Sequence, residues 1–191
     1  MGQVVMNRGN GSSAHASAGS NGQTPNRIRS YAPATGELIG EAKVWTAEEV
    51  KEAMVKARRA QEAWGALPPA ARAERVLRFR DAFVDRADEI IDLLVRECGK
   101  PRHEALLHEV LVAADLATFF AKEVTRILAP HELNLHLLKH RRSFVHYVPR
   151  GVVAVISPWN YPFQLPMRDT ITALLAGNAV IIKPSEVTPL V

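Results

Sequence analysis

One cysteine, Cys98, stands among 191 residues. No internal disulfide can form and no site can be built from several thiolates, a pattern that suits a reducing cytoplasm. No apolar run approaches the roughly 18–20 residues that span a bilayer, and the N-terminus lacks the apolar core of a secretory signal. Charge of one sign is not concentrated either. Lys and Arg number 24 and Asp and Glu 20, a formal net charge of +4 without a long basic block, so nothing points to nucleic acid. The basic run KHRR, 139–142, reads as a solvated turn. The seven histidines show no metal-ligand spacing: His103 and His108 are five apart, and His136, His140 and His146 fall on chain that reads as extended.

What is present is the composition of a globular chain, 47% hydrophobic and 23% charged. Residues 1–26 are the exception. They are rich in Gly, Ser, Asn and Ala, and are expected to form a disordered leader. From Arg27, IRSYAPATGELIGEAKVW reads as two short strands turning at Gly36. Thr46 then stands three residues before Glu49, the spacing of a capping box, and opens a helix with Val50, Ala53, Met54, Ala57, Ala60 and Trp64 on one stripe. Pro68 and Pro69 separate it from the next. Helical spacing of Val76, Leu77, Phe79, Phe83, Ile90, Ile91, Leu94 and Val95 predicts a helix over 70–98, stopped by Gly99 and Pro101. A third helix is expected over 102–127, with Leu106, Val110, Ala113, Ala117, Phe120 and Val124 inward.

After Pro130 the chain reads as extended, through strands near 143–149, and then changes character. GVVAVI is a short apolar run of parallel-strand type, a helix follows over 164–176 to Gly177, and NAVIIK is a second buried strand. Strand, helix, strand within about thirty residues is a βαβ unit, the opening of a doubly wound sheet that Val191 leaves barely begun. PSEVTPLV is expected to lead into another helix. Between the first strand and helix lies SPWNYPFQLP, where two prolines bracket Trp159, Asn160 and Tyr161. Loops at the ends of buried strands concentrate binding and catalytic groups. A lone amide there either serves a ligand or caps the following helix and satisfies its own turn.

GVVAVISPWNYP, LLAGNAVIIKPSEVTP and, upstream, RECGKP resemble the aldehyde dehydrogenase superfamily, in its order and at its spacings, over most of 28–191. The resemblance implies the N-terminal portion of an NAD(P)-dependent aldehyde dehydrogenase: an α/β fold, the incomplete start of a Rossmann-like, doubly wound parallel-sheet domain with N-terminal strands and long helices. No G-x-G-x-x-G is present, so the cofactor is expected to be gripped in another way. In the family the asparagine of the P-W-N motif donates to the oxygen of a thiohemiacetal, which gives Asn160 that catalytic role. Ile156, Ser157, Pro158 and Trp159 correspond to the wall around the dinucleotide, and Lys183, Ser185 and Glu186 to its adenosine ribose. Glu186 would repel a 2′-phosphate and Lys183 would accept one, so NAD is favoured and NADP is not excluded.

Phe163, Leu165, Met167 and Arg168 are expected to border the substrate pocket, with Arg168 suited to an acidic aldehyde. Cys98 does not match the family's nucleophile motif and reads as a partly buried, inert thiol. The nucleophile and general base are therefore expected beyond this chain, which by itself should not oxidise aldehydes. The extended strands of 131–150 resemble the arm that pairs subunits, implying a homo-oligomer of the intact enzyme. The alternative is a non-catalytic binding module of the same fold, at the cost of an open sheet edge. Neither reading calls for a metal, a nucleic acid or a membrane.

Overall fold

The structure, a computed structural model, describes residues 27–191, so the leader expected at 1–26 lies outside the described residues. Strands β1 (Arg27–Tyr31) and β2 (Leu38–Lys43) pair antiparallel, with a register shift between Ser30 and Tyr31. The turn closes through Gly36, whose φ of 73° is the left-handed conformation that favours glycine. Helix α1 (Ala47–Gly65) begins with the full capping box: Glu49 N–H donates to Thr46 Oγ1, and Thr46 N–H donates to the Glu49 carboxylate. Its apolar stripe is only half covered. Ala53, Met54, Ala57 and Trp64 are partly buried, whereas Val50 and Ala60 are exposed and α1 has no fully buried residue.

The helix expected over 70–98 is two helices, α2 (Pro69–Asp85) and α3 (Ala87–Cys98), broken at Arg86. Arg86 has φ −103° and ψ 19°, outside the helical well, and its N–H turns back to Val84 O. Phe83 and Ile91 lie on opposite sides of the break and both reach one core cluster. Their spacing of eight satisfies one straight helix or two bent ones, so periodicity alone misses the break. Gly99 ends α3 with φ 69°, as expected.

The third helix is continuous in path but not in winding. A short turn, α4 (Arg102–Glu104), leads into a π-helical segment (Ala105–Val110) and then α5 (Leu111–Ile127). The wider winding accommodates an extra residue. Ala105 and Glu109 are fully buried, while Leu106, expected inside, is 43% exposed. With Ala113, Ala117 and Ala121 they form a buried row at steps of four, and the small side chains let α2, α5 and α6 pack closely.

Strands β3 (His131–Leu133) and β4 (Ser143–Val145) form a small antiparallel pair, shorter than the 143–149 stretch expected; Tyr147 and Val148 lie beyond it and are exposed. Strands β5 (Val152–Ile156) and β6 (Ala179–Lys183) pair in parallel, Val152 beside Ala179 through Ile156 beside Lys183, with α6 (Gln164–Leu175) as the crossover. The expected βαβ unit is therefore present, packed against α1 and α6. The strands are less covered than a doubly wound sheet requires: only Val155 is buried, and Ile156 and Ile182 are exposed. Among the described residues this sheet has two strands, so each strand is paired along one edge. Residues 184–191, the stretch expected to lead into a further helix, form bends.

Two buried clusters hold the assembly. One joins Ala73 and Val76 of α2, Ala117, Ala121 and Val124 of α5, and Ile171 and Leu175 of α6. The other joins Phe83, Ile91, Leu94, Ala105, Val110, Ala113 and Phe163. Helix α6 contributes to the first, and Phe163, at its N-terminus, to the second. No helix among the described residues is long and apolar enough to cross a membrane.

Candidate functional site

The site begins where β5 and β6 end. In parallel α/β sheets ligands bind outside the carboxyl ends of the strands, and Ile156 and Lys183 are the paired last residues of these two. Ser157 N–H donates to Lys183 O at 2.9 Å, carrying the pairing one residue into the turn. The Ser157 hydroxyl is buried and donates within the turn, to Pro158 O at 3.2 Å and Pro162 O at 3.4 Å. Ser185 is buried too; its hydroxyl accepts from Val187 N–H at 3.2 Å. Both serines expected to face a cofactor thus turn their side chains inward and build the two loops.

The residues left facing outward are Ile156, Trp159, Asn160, Lys183 and Glu186. Ile156 is 76% and Trp159 61% exposed, two large apolar surfaces beside charge. Lys183 Nζ and Glu186 Oε2 pair at 3.0 Å in the open. The Glu186 carboxyl is held below the usual range, first by its own backbone N–H and then by Lys183. An apolar surface bordered by a carboxylate and an ammonium suits a flat ring carrying hydroxyl donors and acceptors.

Asn160 does not cap α6. The helix has no cap from a neighbouring side chain in its own loop. Instead the Glu109 carboxylate, fully buried in the π-helical segment, accepts from Phe163 N–H at 3.1 Å and Gln164 N–H at 2.8 Å. An anion at a helix N-terminus satisfies orphan donors and complements the helix dipole. Lys100 pairs with Glu109 and lies 4.1 Å from the centroid of the Tyr161 ring. Glu109 was missed in the sequence because a charged side chain was not placed on the apolar stripe, although Val110, Ala113, Ala117 and Val124 of that stripe are buried as expected. The available signal was its place at steps of four from Ala113 and Ala117.

The carboxyl end of α6 is satisfied as fully. Trp64 Nε1 donates to Leu174 O at 2.8 Å, Arg72 Nε to Leu175 O at 2.9 Å, and Gln61 Nε2 to Gly177 O at 2.9 Å. The Asn178 amide donates to Ala173 O at 3.1 Å and accepts from Arg150 and Gly151 N–H, which locks the starts of β5 and β6 together. Gly177 leaves the helix with φ 90°.

Of the residues expected at a substrate pocket, Phe163 belongs to the core. It is buried, with its ring 5.6 Å from that of Phe83 in an edge-to-face contact, so it supports the site from below and does not line it. Leu165 and Met167 are partly buried, and Met167 packs against both clusters. Arg168 is exposed and pairs with Asp169 at 2.9 Å. Among the described residues no group of three or more His, Cys, Asp or Glu could hold a metal ion.

Cys98 is partly buried against the second cluster, at the end of α3. Burial pushes its thiol up to about 11; Lys100 opposes the shift and Glu97 and Glu109 add to it. At pH 8 the thiolate fraction falls to about 0.1%, against tens of per cent for a free cysteine. Iodoacetamide should therefore alkylate Cys98 about 100-fold more slowly than a free thiol, read by mass spectrometry of the peptide that contains it. Labelling at the free-thiol rate would mean that burial does not restrain the Cys98 thiol.

Residues 20–191 match the aldehyde dehydrogenase family. A provisionally named succinate-semialdehyde dehydrogenase [NADP(+)] of Mycolicibacterium smegmatis is 41% identical over 155 residues, 81% of this chain and 30% of that protein. The 4,4′-diapolycopene aldehyde oxidase of a Methylomonas species is 37% identical over 161 residues, 83% of this chain and 30% of its own length. Among solved structures, succinate-semialdehyde dehydrogenase from Burkholderia pseudomallei superposes with a TM-score of 0.79 at 33% identity, covering 85% of this chain and 33% of that one. The chain thus spans about a third of the length of the relatives it matches. It belongs to the aldehyde dehydrogenase family.

Proposed function

We propose that residues 27–191 supply the oxyanion donor and part of the dinucleotide site of an enzyme that oxidises an aldehyde to a carboxylic acid. The observation that carries this reading is Asn160: an exposed amide, not used as a cap, on a turn held at both sides, at the carboxyl ends of two parallel strands. When a thiolate adds to an aldehyde carbonyl carbon, the carbonyl oxygen gains negative charge. The Asn160 side-chain N–H donates to that oxygen; an amide is neutral, and it is not a nucleophile. A nicotinamide dinucleotide, when bound, would supply the hydride acceptor for the adduct. Lys183 and Glu186 would hold its adenosine ribose, and Ile156, Pro158 and Trp159 would form the adjacent wall.

Cys98, partly buried and with a raised pKa, does not supply the thiolate. The nucleophile and the general base that activates water for thioester hydrolysis come from outside 27–191, and this chain alone is inactive. Arg168 borders the substrate and attracts a carboxylated aldehyde, in keeping with the relatives named for succinate semialdehyde. The cofactor is NAD, with NADP accepted through Lys183; the Mycolicibacterium relative's name specifies NADP(+). The 131–150 strands take part in subunit pairing of the intact enzyme.

The test is NADH formation by the intact protein with succinic semialdehyde and with an uncharged aldehyde of similar length. Turnover with the first, at a lower KM, supports the reading; no turnover with any aldehyde overturns it. Glu186→Gln should raise kcat/KM for NADP+ relative to NAD+ about fivefold, because two like charges about 4 Å apart in water repel by about 1 kcal/mol. An unchanged ratio would remove Glu186 from the ribose site.

A further inference from the structure

Residues 157–163 turn sharply, yet each side of Asn160 is pinned from elsewhere. Before it, Ser157 is tied to β6 by its N–H and to Pro162 O by its hydroxyl. After it, Tyr161 lies under Lys100, Phe163 packs on Phe83, and the N–H groups of Phe163 and Gln164 donate to Glu109. Three of these restraints converge on one ion pair. Glu109 is fully buried and the Lys100 side chain is 16% exposed, so the pair is shielded from water and held in one geometry. Glu109 lies within the π-helical segment, a distortion found often at functional sites.

We propose that Glu109, with Lys100, is a positioning residue that aims the Asn160 amide, an inference that rests on the oxyanion role proposed above. Glu109 touches neither substrate nor cofactor in this account. It fixes the first turn of α6, and Lys100 fixes the aromatic ring next to Asn160. A donor shifted by about 1 Å loses most of its transition-state advantage. A carboxamide at 109 would keep an acceptor for the two N–H groups but present an N–H₂ to Lys100, which loses its counter-charge.

The test is a double-mutant cycle in the intact protein. Glu109→Gln should lower kcat about tenfold, with the KM for NAD+ changed less than twofold. Glu109→Asp, which keeps the charge, should recover to within threefold of the parent. In an Asn160→Ala background, Glu109→Gln should cost less than threefold, because the group it aims is already gone. Equal losses in both backgrounds would show a general structural role and overturn the proposal, as would an undiminished kcat. A second measurement needs no variant. Amide hydrogens of Phe163 and Gln164 should exchange far more slowly than those of Trp159, Asn160 and Tyr161; equal rates would overturn it. Absence of any aldehyde turnover by the parent would sink the oxyanion reading, and the exchange measurement would still decide whether Glu109 holds the turn.

Discussion

Asn160→Ala in the intact protein should lower kcat by about 10²–10³, a loss of roughly 2.7–4 kcal/mol of transition-state stabilisation. The contact forms with an oxygen that becomes charged only during reaction, so kcat and kcat/KM for the aldehyde fall together and the KM for NAD+ stays near its parent value. Asn160→Asp should be worse than alanine, since a carboxylate of similar shape repels the developing oxyanion. The rival role for this residue, a helix cap, makes the opposite pair of predictions. Losing a cap would lower stability by about 1 kcal/mol and leave kcat alone. Because Glu109 already accepts from both Phe163 and Gln164 N–H, the alanine variant should melt within about 1 °C of the parent. Kinetics and a thermal melt on one variant therefore separate the two roles. A normal kcat would dismiss the oxyanion assignment whatever the melt showed.

Much of this frame could be read before any coordinates. The capping box at Thr46, the turn at Gly36, the stop at Gly99 and the β5–α6–β6 unit all rest on local signals: a hydroxyl three residues from a glutamate, a glycine in a left-handed turn, an apolar run bounded by prolines. The misses share a different cause. Arg86 breaks a helix without proline or glycine, and the π-helical segment widens the winding without any change of composition. Both depend on contacts between elements, which periodicity does not contain. The partners of Glu109 and Glu97 were hidden by the same limit. Each glutamate is buried and accepts backbone N–H groups from residues at least 50 positions away, Phe163 and Gln164 for one, Leu190 and Val191 for the other. Within the candidate site, the motif order located the turn and the charged pair. It did not separate side chains that face outward, such as Asn160 and Glu186, from Ser157, Ser185 and Phe163, which the packing turns inward.

Arg72→Met should be the most destabilising of the substitutions named, by about 3 kcal/mol. Arg72 is buried, and among the described residues it has no carboxylate partner. Burial lowers its pKa, and what holds the cation is carbonyl oxygen: Leu175 O at 2.9 Å from Nε, and Gly65 O and Leu67 O from Nη1. Those carbonyls lie at the ends of α1 and α6, where the helix dipoles favour a cation. Methionine keeps much of the apolar stem and removes every donor, so the buried oxygens lose their partners at once. Arg72→Lys should recover only part of the loss, because one ammonium cannot reproduce the planar fork that reaches both helix ends. In urea unfolding the midpoint should fall for both variants with the slope unchanged. The folded fraction of each should retain a kcat near that of the parent. Arg72 acts at the carboxyl end of α6, and the proposed chemistry sits at its amino end, held separately by Glu109. If Arg72→Met were as stable as the parent, the carbonyl cradle would contribute nothing. If it lost kcat in proportion to Asn160→Ala, the two ends of α6 would not be independent, and the helix itself would transmit the displacement to the turn.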